Sequence, residues 1–230
     1  MINYNMPGQI KPDTAAGEWL IRLAGRNDVI NIVEFGTWSG LGSTMCVLDG
    51  IGGENKRFIS IEPCKEMFSI AKANLAGRAV ELLNGTIVSR DDLNWFDHDD
   101  VNSAFDGEVG PLVDRAKSWF NRAWLQVDID NSLHCDYVLD YMPSSIDLLI
   151  LDGGEYSSYP EWLKLGGRSR FVFLDDTCTF KCFRIRREIL RSGDFVMLAD
   201  DLDDRHGYSV FERRTRDEVR VSDKSSSLIG

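Results

Sequence analysis

Between residues 29 and 88 the chain repeats one unit: a run rich in β-branched residues, a stop, and a stretch whose apolar residues recur every three to four positions. "VINIVEFG" (29–36) is followed by "SGLGSTMCVLDGI" and "RFISIEP" (57–63) by "CKEMFSIAKANLAG", while "AVELLNGTIV" (79–88) closes the series with a turn at Asn84-Gly85. Apolar β-branched runs read as strands, 3.6-period runs as helices, and glycine punctuates both. Parallel neighbours joined through a helix require a right-handed crossover, so this order commits the chain to a mostly parallel sheet with helices on both faces.

The remaining segments extend the unit. "DTAAGEWLIRLAGR" (13–26) reads as an amphipathic helix behind an Asp cap, with Ala16, Leu20, Leu23 and Ala24 on one face. "SIDLLILD" (145–152) and "RFVFLDD" (170–176) are continuously apolar, as strands covered on both faces must be. "CFRIRREILRSG" is a helix with a glycine stop, and "DFVMLAD" and "GYSVFERR" form an antiparallel pair. The expected fold is a Rossmann-like, doubly wound α/β sheet of seven strands, mostly parallel with an antiparallel last strand. Residues 89–145 interrupt it as a helical insertion, with a helical stretch over "PLVDRAKSWFNRAWLQV" (111–127). Residues 1–223 then make a single domain, and 224–230 a frayed tail.

Composition narrows the function classes. A chain of 230 residues, 43% apolar and 27% charged, suits one soluble domain. A net charge of −11 repels phosphate backbones, so a nucleic-acid partner is not expected. The acidic runs "RDDLNWFDHDD" and "ADDLDDRH" read as solvated loops. No apolar run spans a bilayer, and the start lacks the basic and apolar regions of a signal peptide, which makes the cytoplasm the expected location. Five scattered cysteines give no disulfide framework; Cys178 and Cys182 read as small packed side chains. Self-association into a homo-oligomer stays open.

In such a sheet ligands bind at the carboxyl ends of the strands. The first end carries Glu34, Gly36, Thr37, Trp38, Gly40 and Ser43. Its glycines permit a sharp turn and close approach to a ligand. Trp38 stands where a dinucleotide fingerprint needs its second glycine, and the lysine of a phosphate loop is missing, so a diphosphate is disfavoured. Glu34 suits a ligand ammonium, and Glu62, ending the second strand, is placed to accept hydrogen bonds from two ribose hydroxyls. Together they describe a nucleoside with an amino-acid head.

On these residues the chain resembles the class I methyltransferases that use S-adenosylmethionine: "VEFGTWSG" matches their E/D-x-G-x-x-x-G motif and "ISIEP" their second motif. The resemblance implies that the Gly36–Gly40 loop wraps the methionine part, with Thr37 and Ser43 among the contacts. It also implies that Glu62 holds the ribose, that Thr86 lies near the adenine, and that Asp152 borders the cofactor. Asn84-Gly85-Thr86 carries no acid where the family often has one.

Asp152 and the pair Asp175-Asp176 end what should be neighbouring strands, about 4.8 Å apart. Three carboxylates so placed repel unless a cation or proton intervenes, and oxygen ligands suit Mg²⁺ or another hard divalent cation. The pattern is similar to that of metal-dependent small-molecule O-methyltransferases, which implies a metal that acidifies a substrate hydroxyl. The plainer reading makes Asp152 a cofactor contact or helix cap and Asp175-Asp176 a turn. A related subgroup carries Asp-Gly-x-His-x-Tyr here, whereas this chain has Asp152-Gly153-Gly154-Glu155-Tyr156-Ser157. Asp152 and Glu155 are therefore the catalytic candidates; Glu155 serves as a base if its pKa is raised or a metal has acidified the hydroxyl. Tyr156 or Tyr159 could line the pocket. Trp95, Phe96, Trp119, Phe120 and Trp124 in the insertion read as core, or as the source of substrate selectivity. The expectation is an S-adenosylmethionine-dependent methyltransferase acting on a hydroxyl of a small molecule with a divalent metal. The alternative is a non-catalytic or regulatory protein that keeps the fold.

Overall fold

In a computed structural model, residues 10–52 and 55–215 are described. The segment 224–230, expected to be a tail, lies outside them. Helix α1 (Ala15–Ala24) buries Ala16, Gly17, Leu20, Leu23 and Ala24. Its cap is Thr14, whose hydroxyl accepts from the Gly17 N–H at 3.1 Å, so the cap falls one residue after the expected Asp13. Strands β1 (Asn31–Phe35), β2 (Arg57–Ile61) and β3 (Glu81–Leu83) alternate with α2 (Ser43–Gly50) and α3 (Lys65–Asn74).

The chain then leaves the main sheet. Gly85–Thr86 (β4) pair with Asp136–Tyr137 (β5) in a separate two-stranded ladder that brackets the insertion. Inside it two short 3₁₀ turns precede α4 (Pro111–Ser118) and α5 (Arg122–His134). The helical stretch over 111–127 is divided between these two helices, because Asn121 starts the second: its Oδ1 accepts from the Ala123 N–H at 2.9 Å. Hydrophobic periodicity ran through the break, while the local competition of an Asn cap decided it.

After the insertion come β6 (Ile146–Leu151), α6 (Ser158–Leu165), β7 (Ser169–Asp175), α7 (Phe183–Ser192), β8 (Phe195–Asp201) and β9 (Tyr208–Arg213). The seven-stranded sheet runs β3-β2-β1-β6-β7-β9-β8, parallel except that β9 is antiparallel to both β7 and β8. Successive strand residues face opposite layers. Ile32, Phe58, Leu148, Ile150, Phe171 and Phe173 pack with α1, α2 and α3. Val33, Phe35, Ile59, Leu149, Val172 and Leu174 pack with α6, α7 and the insertion. The strand order reverses between β1 and β6, and their carboxyl ends open the crevice where this architecture places its ligands. Among the described residues no helix is long and apolar enough to cross a membrane.

Candidate active site

The crevice begins where β1 ends. Gly36 has φ +95°, and a Cβ there would lie 2.1 Å from the Asp152 carbonyl oxygen, so the first glycine is required by conformation and by the passage of the β6 end. The Gly36 and Thr37 N–H groups donate to the Ile61 carbonyl at 3.0 and 3.3 Å. Gly40, at φ +77°, turns the chain over Leu75. Between them Trp38 takes φ +51°, and its N–H donates to Glu62 Oε2 at 2.7 Å.

Glu62 is the hinge of this loop. Its other oxygen, Oε1, accepts from the Cys64 N–H at 2.9 Å, so each oxygen holds one backbone donor and keeps acceptor capacity for another. Burial pushes its carboxyl up to about 7. Asn84 donates to the carbonyls of Glu62 and Pro63 at 2.8 and 3.2 Å, fastening the end of β2 to the end of β3. Thr86, in β4, is buried and its hydroxyl accepts from the Val88 N–H at 3.0 Å.

Glu34 is wholly buried. Its Oε2 accepts from Thr44 at 2.7 Å and Ser60 at 2.6 Å, and the Ser60 hydroxyl also pairs with that of Thr37 at 2.6 Å. Glu34 thus supports the loop through Ser60 and Thr37, while its Oε1 has no protein partner. Burial raises its pKa. A buried oxygen without a donor is costly unless a proton or ligand group meets it.

The expected acid cluster forms at the ends of β6 and β7, around Lys181, a residue that no motif singled out. Its Nζ donates to Asp152 Oδ1 at 2.8 Å, Asp176 Oδ2 at 3.0 Å and Asp175 Oδ2 at 3.4 Å. The Lys181 side chain is only 6% exposed, and the three carboxylates hold it protonated against the cost of burial. Arg205 reaches Asp175 Oδ1 at 2.6 Å from the β8–β9 turn, and Ser43 donates to Asp152 Oδ2 at 3.0 Å. Asp176 adopts φ +53° and leaves Oδ1 without a partner. Burial and the Asp152 charge push Asp175 up to about 6.

These residues do not fit a resident divalent metal. Hard cations take about six oxygens at roughly 2.0–2.6 Å, and the point where the three carboxylates meet is filled by an ammonium. Among the described residues no group of three or more His, Cys, Asp or Glu is placed to hold a metal ion.

Glu155 lies beside this cluster. Its Oε1 accepts from the Lys181 backbone N–H at 3.0 Å, and burial pushes it up to about 7 against the opposing pull of Lys181. Tyr156 and Tyr159 are core residues: Tyr156 donates to the Asn121 carbonyl at 3.1 Å and Tyr159 to Glu188 at 2.7 Å. Trp95, Phe96 and Phe120 pack with Tyr156 and Phe180 in the same aromatic cluster, whereas Trp119 and Trp124 are exposed.

Two further acids, one on the insertion and one on α6, were missed by sequence reading. Asp128, on α5, accepts from the Tyr156 and Ser157 N–H groups at 2.8 and 3.1 Å, docking α5 onto the loop after β6. Glu161, on α6, is buried with Oε2 unpartnered. Burial, reinforced by the Asp128 charge, pushes it up to about 8. Both acids, with Gly36, Pro63, Gly85 and Thr86, line a narrow cleft of about 20 Å³. That is room for roughly one water.

No protein-family model matches the chain, and no curated protein matches its sequence. Solved structures do. A SAH-bound methyltransferase from Podospora anserina is 12% identical, with a TM-score of 0.52 over 86% of this chain and 78% of that one. An O-methyltransferase from Bacillus cereus in complex with SAH is 14% identical, with a TM-score of 0.52 over 86% and 80%. An O-methyltransferase from Streptomyces achromogenes involved in tomaymycin synthesis, in complex with SAM, is 16% identical, with a TM-score of 0.50 over 86% and 79%. The chain has the Rossmann-like fold that these methyltransferases share, with the seven-stranded sheet and antiparallel edge expected from its sequence.

Proposed function

We propose that the protein is an S-adenosylmethionine-dependent methyltransferase acting on a hydroxyl of a small molecule in the cytoplasm. The observation that carries this reading is the loop at the ends of β1 and β2. Glu62, with acceptor capacity left on both oxygens, fixes the Trp38 N–H of a Gly36–Gly40 turn, and that turn is pressed against Asp152.

When bound, S-adenosylmethionine supplies a methyl group on a positively charged sulfur. Glu62 would hold the ribose hydroxyls. Gly36, Thr37 and Gly40 would wrap the methionine part above Glu34, with Ser43 orienting Asp152. Thr86 would border the adenine, with Asp128 and Glu161 supplying the acid that Asn84-Gly85-Thr86 lacks. The cleft is narrow, so a nucleoside must push back the face of α5 that carries Asp128, Asn131 and Ser132. Glu155, its pKa near neutrality and its Oε1 fixed by the Lys181 N–H, would accept the hydroxyl proton as the oxygen bonds to the methyl carbon and the carbon–sulfur bond breaks to leave a neutral thioether. Holding the hydroxyl and the methyl donor together in the crevice would supply the rest of the acceleration. Bringing a divalent cation to Asp152, Asp175 and Asp176 would require expelling the Lys181 ammonium, and no step is assigned to one.

Calorimetry tests the reading. SAH is expected to bind, and Glu62→Gln to weaken it about 10- to 100-fold, the worth of one or two hydrogen bonds to a charged acceptor. No heat with SAM or SAH at high protein concentration would sink the proposal in favour of a non-catalytic protein that keeps the fold.

A further inference from the structure

The cation at the heart of the acid cluster belongs to the chain itself. An ammonium has three N–H donors, and Lys181 directs them at three carboxylates carried by the ends of two neighbouring strands, β6 and β7. Its stem is buried in the loop that leads into α7, and its backbone N–H is held by Glu155. A buried lysine is tolerated only where its charge is paired and its donors are used, and both conditions hold. Arg205 adds a second fixed cation on the far oxygen of Asp175. Lys181 and Arg205 together offset the repulsion among the three carboxylates.

We propose that Lys181 is the built-in cation of this site, occupying the point where Asp152, Asp175 and Asp176 would otherwise coordinate a divalent metal. This inference does not depend on the methyltransferase reading above, and the experiment reads the closure of the cluster without any cofactor.

Mn²⁺ alone is the probe, followed by electron paramagnetic resonance of the free ion and added up to about 1 mM, the weak end of carboxylate sites. The wild-type protein is expected to leave the free-ion signal undiminished. Lys181→Met, which keeps the length of the stem and removes the charge, is expected to take up one Mn²⁺ at least tenfold more tightly than wild type. Lys181→Arg, which restores a cation, and Lys181→Met with Asp175→Asn, which removes a ligand, are expected to lose that uptake. Wild-type binding of Mn²⁺ that Asp176→Asn abolishes would overturn the proposal. So would a folded Lys181→Met variant that gains no Mn²⁺. If Lys181→Met does not fold, the wild-type titration decides alone: no uptake supports the closed cluster, and uptake lost in Asp176→Asn refutes it. SAH calorimetry on the wild type, run separately, shows whether the cofactor reading fails while the closed cluster stands.

Discussion

Gly36→Ala is the substitution against which the geometry of the crevice can be weighed most directly. The backbone at Gly36 sits at φ +95°, where an L side chain costs about 1–2 kcal/mol. Its Cβ would also meet the Asp152 carbonyl oxygen at 2.1 Å and the Asp152 carbonyl carbon at 2.5 Å. Neither strand end can easily retreat, since Gly36 N–H is bonded to Ile61 at 3.0 Å and Asp152 N–H to Phe35 at 3.1 Å. Overpacking against fixed backbone adds about 1–3 kcal/mol, for a total of about 2–5 kcal/mol. With a urea m-value of about 3 kcal/mol/M, the midpoint should fall by roughly 1 M. Gly77→Ala is the internal control: Gly77 has φ +78° and nothing within 4 Å of where the new methyl would stand, so it bears only the conformational cost, about 0.3–0.6 M. The difference between the two midpoints measures the contact between the ends of β1 and β6. Equal shifts for the two variants would refute the close approach and, with it, the account of how Asp152 is brought to the glycine loop.

Gly154→Ala places a methyl 2.3 Å from Asp128 Oδ1. It should undock α5 at a cost of about 1–3 kcal/mol, seen as faster proteolysis within 119–134 with the sheet intact. The pH dependence of stability has a definite sign. Burial raises Asp128 to about 6, Glu62 and Glu155 to about 7 and Glu161 to about 8, so the folded protein binds protons that the unfolded chain has released. Their contribution is fully present below about pH 4 and is lost progressively as pH rises from there to about 8. Urea midpoints should therefore fall across that window, and Glu161→Gln should flatten its upper part; a midpoint rising with pH in the ligand-free protein would contradict these assignments.

The order of strands and helices was legible because parallel strands buried on both faces are continuously apolar and each is cut off by glycine or acid. The ends of β1, β2, β6 and β7, where Glu34, Glu62, Asp152 and Asp175 stand, follow from those stops. Lys181 was not legible. A lysine ahead of a helix is ordinary as a word in the sequence, and its meaning comes from three carboxylates that only strand pairing brings together. Asp128 and Glu161 were hidden for a related reason, since an acid in a helical stretch reads as solvated until tertiary packing covers it. The boundary at Asn121 was not legible either, since a local side-chain cap there interrupts a continuous hydrophobic period.

The small ladder of β4 and β5 has a consequence for how such a protein can diverge. Gly85 pairs with Asp136 and Thr86 with Tyr137, and the Val138 N–H returns to the Thr86 carbonyl at 2.9 Å, so the segment between them leaves and re-enters the fold at one clasp. With its ends already joined, doubling the length of the enclosed segment costs only about 0.6 kcal/mol in chain entropy. Evolution, or an engineer, can therefore rewrite the outer part of residues 89–135 as an interchangeable cassette, changing what the crevice admits while the strand register that carries Glu62, Asp152 and Lys181 is left alone.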